Sequence, residues 1–156
     1  MLPAPDGLDM SGWPMVIDAD EQFYFKPETG QILLSPANED PSPPCDVMPD
    51  ELDVAIAVDR FETATGTEVR RVTHRWAGLR SFVADRSPVC GYDDAADGFF
   101  WLAGQGGYGI QMAPALARAA AGLALRRGLP ADLLAEGLAA EALSPARAAL
   151  QTARGA

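Results

Sequence analysis

Apolar positions near the start of the chain come in short groups separated by polar turns. Val16 and Ile17 precede the run Asp18-Ala19-Asp20-Glu21, Gln22 to Lys26 follow, and Pro27-Glu28-Thr29-Gly30 separate these from Ile32 to Leu34. Short apolar runs bounded by turn residues predict three strands of an antiparallel meander. Strand side chains alternate, so Phe23 and Phe25 share one face and Tyr24 takes the other. Residues 1–13 show no such pattern and read as an irregular leader. Pro36, Pro41, Pro43, Pro44 and Pro49 predict a surface loop, because proline removes a backbone donor and fixes φ.

A helical period then takes over. Leu52, Val54, Ile56, Val58 and Phe61 give a broad apolar face at three- and four-residue spacings. Pro49 in the first turn, the acids Asp50, Glu51 and Asp53 at the positive end of the dipole, and Gly66 as the stop predict a helix over about 50–64. "TEVRRVTHRWAGLRSF" reads as strand, bend, strand, with His74 a strand residue and Trp76 in the core. "SPVCGY" reads as an edge strand begun by Pro88, with Cys90 a small buried hydrophobe. "GFFWLA" is apolar throughout and predicts a strand buried on both faces, with Trp101 inside. Asp85 reads as a turn cap. A helix over about 112–127 follows, with Pro114 in its first turn, Arg126 and Arg127 in its last and Gly128 as the residue beyond. Residues 130–153 predict short helices broken near Ser144-Pro145. The fold class is α+β: an antiparallel sheet with one helix, then a strand, a glycine loop and a second helix.

Composition narrows the function. The chain has 156 residues, a net charge of −10 and 12 basic residues, which argues against tracking nucleic-acid phosphates or an anionic membrane. No apolar run is long enough to span a bilayer, and the first residues lack the basic and apolar regions of a secretory signal. Two distant cysteines and one histidine offer no metal set and no catalytic triad. Reduced thiols and a cytoplasmic setting are the expectation.

Between the last strand and the long helix, Gly104, Gly106, Gly107 and Gly109 occupy four of six positions. Glycine is the costliest residue to order, so the cluster needs a reason. It fits G-x-G-x-x-G, yet no second strand ending in Asp or Glu follows about twenty residues on, so a dinucleotide-binding unit cannot be completed. Bare backbone at a helix start still favours partial negative charge and admits a flat ligand edge, and a simple anion-binding module is one alternative.

"WAGLRSFVADRSPVCGY" followed by "GFFWLAGQGGYGIQMAPALARAAAGL" resembles the C-terminal part of FAD-dependent oxidoreductases of the D-amino-acid oxidase type, which include glycine and sarcosine oxidases and D-amino-acid dehydrogenases. That family carries a G-[LF]-R-P-x-x-P-D-G-x-P segment, a strand, a G-H-G-G-[YH]-G-like loop and a helix. "EQFYFKPETGQILLSPA" is similar to its substrate-domain strands, and the resemblance covers roughly residues 14–128. Here Ser81 and Ala84 stand where proline is usual, Arg86 where glycine is, and Gln105 where histidine is common. Some relatives hold the flavin through a cysteine near the Leu79 position. Gly78 and Arg80 flank that position here, so the resemblance implies a non-covalent FAD.

The resemblance implies that Gly106, Gly107, Tyr108, Gly109, Ile110 and Gln111 contact the flavin ring, mostly through backbone. It implies that Arg80 grips a substrate carboxylate, with Tyr24 and Tyr108 lining the pocket and no separate catalytic acid or base. The activity implied is oxidation of an amino acid or secondary amine to an imine by hydride transfer to flavin. It further implies an organisation of leader (1–13), partial substrate domain (14–78), C-terminal part of an FAD-binding domain (79–128) and helical tail (129–156). The family's opening strand, G-x-G-x-x-G turn and helix have no counterpart before Gly104. On that reading the chain is a truncated product, a fragment or one part of a split protein. FAD would not be retained by it alone, and the alternative is a non-catalytic fragment or a partner subunit completing a flavin site with another chain.

Overall fold

The computed structural model describes residues 1–151, which divide into two compact units, Met1–Leu79 and Arg80 onward. The fold is α+β, with antiparallel sheets and helices in succession.

In the first unit the strands β1 (Leu2–Pro3), β2 (Val16–Ile17), β3 (Tyr24–Glu28) and β4 (Gln31–Ser35) form one antiparallel sheet in the order β1-β4-β3-β2. The β3–β4 hairpin turns through Thr29 and Gly30, both at positive φ (51° and 74°), which matches the right-handed strand twist and sets the register Glu28↔Gln31 to Tyr24↔Ser35. Phe23, Phe25 and Ile32 point into a core with Leu2, Met10 and Phe61, where Phe61 meets Phe25 edge-on at 5.1 Å. Tyr24 is half-buried, on the other side of the strand.

Helix α1 (Glu51–Thr65) supplies Phe61 and the buried Ala57. The Asp50 side chain accepts from the amides of Leu52 and Asp53, and Gly66, at φ 68°, closes the last turn by donating to the Glu62 carbonyl. Pro49 therefore precedes the N-cap instead of standing in the first turn.

Further expectations change in this unit. The leader is not wholly irregular: Leu2 pairs with Ile32 in β1, and Leu2 and Met10 are core residues. The stretch over 67–79 forms no strand. Among the described residues its backbone pairs with Met1, whose ammonium donates to the His74 carbonyl (2.7 Å) and whose carbonyl accepts from the Thr73 amide (2.9 Å). A single contact point does not make a ladder, and His74 is consequently not a strand residue. Trp76 is 56% exposed, not a core residue, and its ring lies 5.5 Å from that of His74.

The second unit centres on a hairpin of β5 (Val89–Tyr92) and β6 (Phe100–Ala103) packed on α2 (Gly109–Ala124), with a 3-10 turn at Gly106–Tyr108 leading in. Ala119 and Ala120 are small enough to let α2 lie close to the buried Cys90 of β5, and Leu116 and Leu143 complete the core. The apolar strand β6 is not buried on both faces: among the described residues it pairs only with β5, Leu102 is half-exposed, and Trp101 is half-buried with its indole N–H on Asp93 (2.8 Å).

Helix α2 begins earlier than the pattern predicts and ends earlier too. Its exit is a Schellman closure, in which Arg127 donates to the Gly122 carbonyl (2.8 Å) and Arg126 to that of Leu123 (3.0 Å). The left-handed residue that closes the helix is Arg126 (φ 55°), two positions before the expected Gly128, which is itself at φ 79°. Its guanidinium lies 4.6 Å from the centre of the Tyr92 ring, whose hydroxyl donates to the Ala124 carbonyl (2.8 Å). The tail forms α3 (Ala131–Ala135), α4 (Ala140–Leu143) and α5 (Ala148–Gln151), broken at Ser144-Pro145 as expected.

Candidate functional site

Residues 80–83 lie across the glycine loop, and this explains the glycines. A Cβ at Gly107 would stand 2.9 Å from Arg80 Nη1, one at Gly106 would stand 2.5 Å from Phe82 Cε1, and one at Gly104 would stand 3.0 Å from Val83 Cγ1. Gly106 and Gly104 also hold φ values of 57° and 71°. The Gly106 amide donates to the Ser81 carbonyl at 3.0 Å and stitches the two segments together. The nearest atoms to the missing side chains thus belong to the chain itself: the loop is bare so that a strap can cross it.

What the strap leaves open is the other side of the helix entrance. Gly107, Tyr108, Ile110 and Gln111 are exposed, Ile110 almost fully at 95%, and Gly109 is half-buried against Gln105. Tyr108, the N-cap residue of α2, gives no side-chain capping bond. The first four amides of a helix have no acceptor inside it, so this entrance presents donors and the positive end of a 16-residue helix. The arrangement suits the electron-rich rim of a flat ring.

Arg80 and Arg86 gather on one aromatic ring, their guanidinium carbons 5.7 Å and 4.6 Å from the centre of Phe82. Arg86 sits at φ 62°, its amide bonded to the Val83 carbonyl in the turn that follows the strap. In the same turn Asp85 caps the Ser87 amide (3.2 Å), as the sequence suggests. Its carboxylate is also held by the fork of Arg147, Nε to Oδ2 at 2.6 Å and Nη2 to Oδ1 at 2.8 Å. The Arg147 guanidinium, followed by the hydrogen bond from Ser87, holds the Asp85 carboxyl down at about 2 against an ordinary 3.8.

Among the sequence-predicted residues, Arg80, Gly106, Gly107, Tyr108, Gly109, Ile110 and Gln111 come together in the second unit, and Tyr24 belongs to β3 of the first. Sequence reasoning did not single out Phe82 or Arg147. Phe82 could have been found from the pairing of an aromatic with a nearby glycine cluster. Arg147, 62 residues from Asp85, left no local signal.

The sequence model of the FAD dependent oxidoreductase family (DAO) matches residues 1–123. The chain belongs to that family, and FAD is the family's cofactor. The match ends inside α2, so α3, α4, α5 and Arg147 lie beyond it. Among the described residues no helix is long and apolar enough to cross a membrane.

Proposed function

We propose that this chain forms the substrate-anchoring and ring-contacting part of a flavoenzyme of the D-amino-acid oxidase type that oxidises an amino acid or a secondary amine to an imine. The observation that carries the reading is the placement of Arg80 Nη1 against Gly107, beside the uncapped start of α2. Gly106, Gly107, Tyr108, Gly109, Ile110 and Gln111 would hold the flavin ring, without a covalent bond. FAD when bound supplies the hydride-accepting chemistry. The residues do the rest. The entrance of α2 stabilises negative charge on the ring edge by roughly 0.3–2 kcal/mol. Arg80 fixes the substrate carboxylate through a two-point contact and so orients the carbon to be oxidised. Tyr108 lines the pocket. In the flavin-loaded protein, Arg80→Ala should raise KM for carboxylate substrates by roughly 10- to 100-fold, the loss of one or two charge-assisted hydrogen bonds, with flavin content unchanged. Parallel loss of flavin would refute the assignment.

A second reading concerns the partner. The outer edge of β6 carries no strand among the described residues, and Phe99 and Leu102 beside it are half-exposed. A two-stranded ribbon is marginal by itself. These features support a flavin site completed by another polypeptide segment that supplies the nucleotide-binding half. The purified 156-residue chain should then be colourless, and a yellow preparation would overturn the reading. Two unpaired cysteines, Cys45 exposed and Cys90 buried, support a reducing cytoplasmic setting.

A further inference from the structure

Charge is segregated within the first unit. Residues 27–59 include acids and no basic residue, whereas residues 69–79 include Arg70, Arg71 and Arg75 and no acid. The basic stretch follows a fixed path. Val69 packs on the core and its amide donates to the Glu62 side chain (2.6 Å), the Thr73 hydroxyl donates to the Gln31 side chain (2.6 Å), and Arg75 Nη1 reaches Glu51 Oε2 at 2.5 Å. Between and beside these anchors Arg71, Val72, His74 and Trp76 are exposed. The acidic stretch exposes apolar groups of its own, Met48 at 77% and Leu52 in the first turn of α1 at 67%. The Arg75–Glu51 pair sets the two stretches side by side at the start of α1. Among the described residues that is the one ion pair joining them, and neither Arg71 nor Asp46 of the acidic stretch belongs to any.

A basic and apolar stretch lying beside an acidic and apolar one is complementary to itself after a two-fold rotation, which is the condition for an isologous contact. We propose that this face of the first unit docks on the same face of a second copy of the chain, residues 69–76 of each lying against residues 40–52 of the other. Opposite charges set the register, and Val72, Trp76, Met48 and Leu52 supply the apolar area that burial rewards. The anchors at Val69, Thr73 and Arg75 order the basic stretch before it binds, so little ordering is left to offset. The two stretches offer about twenty residues per copy, the low end of what one side of a specific interface presents. The expected complex is therefore a transient dimer, with a Kd on the order of 10 µM. The pairing uses residues of the first unit alone and is independent of the flavin reading.

The test is sedimentation velocity of the whole chain over a concentration series, with two charge reversals at exposed positions, Arg71→Glu in the basic stretch and Asp46→Arg in the acidic one. The wild type should pass from monomer to dimer as concentration rises. Each variant by itself should dimerise at least about tenfold more weakly, because the two-fold repeats every reversed charge and sets like against like twice. An equimolar mixture of the two variants should form a mixed dimer within about threefold of the wild-type Kd, since both contacts then again join opposite charges. Both variants should keep the wild-type far-ultraviolet circular dichroism, as exposed residues without an ion pair do not hold the fold. A wild type still monomeric at about 200 µM overturns the inference, because even a weak specific dimer forms there. A dimer indifferent to both reversals overturns it too, since the contact then lies elsewhere. So does a mixture no tighter than the single variants, which would mean that the reversals act through overall charge and not across this face.

Discussion

If residues 80–83 shape the glycine loop, Gly106→Ala should be costly in a way that depends on Phe82. A methyl group at position 106 would stand 2.5 Å from Phe82 Cε1 and 2.9 Å from Cδ1, well inside contact distance. The backbone there is left-handed at φ 57°. The left-handed conformation costs a non-glycine residue about 1–2 kcal/mol, and forcing a neighbour aside costs about 1–3 kcal/mol more, for a total of about 2–5 kcal/mol. Gly98 separates the two contributions. It has φ 76° and nothing within 4 Å of its Cβ position, so Gly98→Ala should show the backbone cost alone. Phe82→Ala separates them from the other side, because with the ring gone the cost of Gly106→Ala should fall to about 1–2 kcal/mol. Urea denaturation followed by tryptophan fluorescence, with Trp101 reporting on this unit, measures all four variants. An equal cost of Gly106→Ala with and without the Phe82 ring would refute the strap.

Other expectations follow from the same geometry. Phe61 is 1% exposed and meets Phe25 edge-on, so Phe61→Ala should destabilise the first unit by about 3–5 kcal/mol in a urea melt; a loss below about 1 kcal/mol would contradict the packing. Burial raises the Cys90 thiol above its usual 9.0 while Cys45 is exposed, so a native-state alkylation assay read by mass spectrometry should label Cys45 first and Cys90 only on unfolding. The Asp85 carboxyl titrates at about 2 in the folded chain against 3.8 ordinarily, so its contribution is full above pH 3.8 and is lost as pH falls towards 2. Asp85→Asn should remove that part of the acid dependence, visible as a flatter stability-against-pH profile below pH 4.

Local signals carried much of the fold. Asp50 and Gly66 bracket α1 because capping and left-handed closure are written into single residues. The β3–β4 hairpin is legible because Thr29-Gly30 specify its turn. The failures lie where a partner decides the outcome. Residues 67–79 alternate like a strand yet build no ladder, their backbone meeting Met1 at Thr73 and His74 and the Glu62 side chain at Val69, and β6 is apolar like a central strand yet lies at an edge. The exit of α2 misled for a different reason. Gly128 fits the usual end signal, but Tyr92 holds Arg126 in the left-handed position two residues earlier. The glycine loop was visible as a loop that must approach something. That its own strap fills the approach depended on Phe82 and Val83, whose role only coordinates reveal.

Tyr92 matters for more than the end of the helix that it holds. With its hydroxyl on the Ala124 carbonyl and its ring under Arg126, it fixes one end of a rod of 16 residues. That rod is about 24 Å long, so a tilt of about 5° at the fixed end carries the far end through about 2 Å. Reactions that depend on alignment can lose about a hundredfold from a 1 Å misplacement. On the proposed reading, in which the entrance of α2 meets the flavin ring, α2 is a lever whose fulcrum is a single phenol, and the tolerance at the ring is set at the opposite end of the helix.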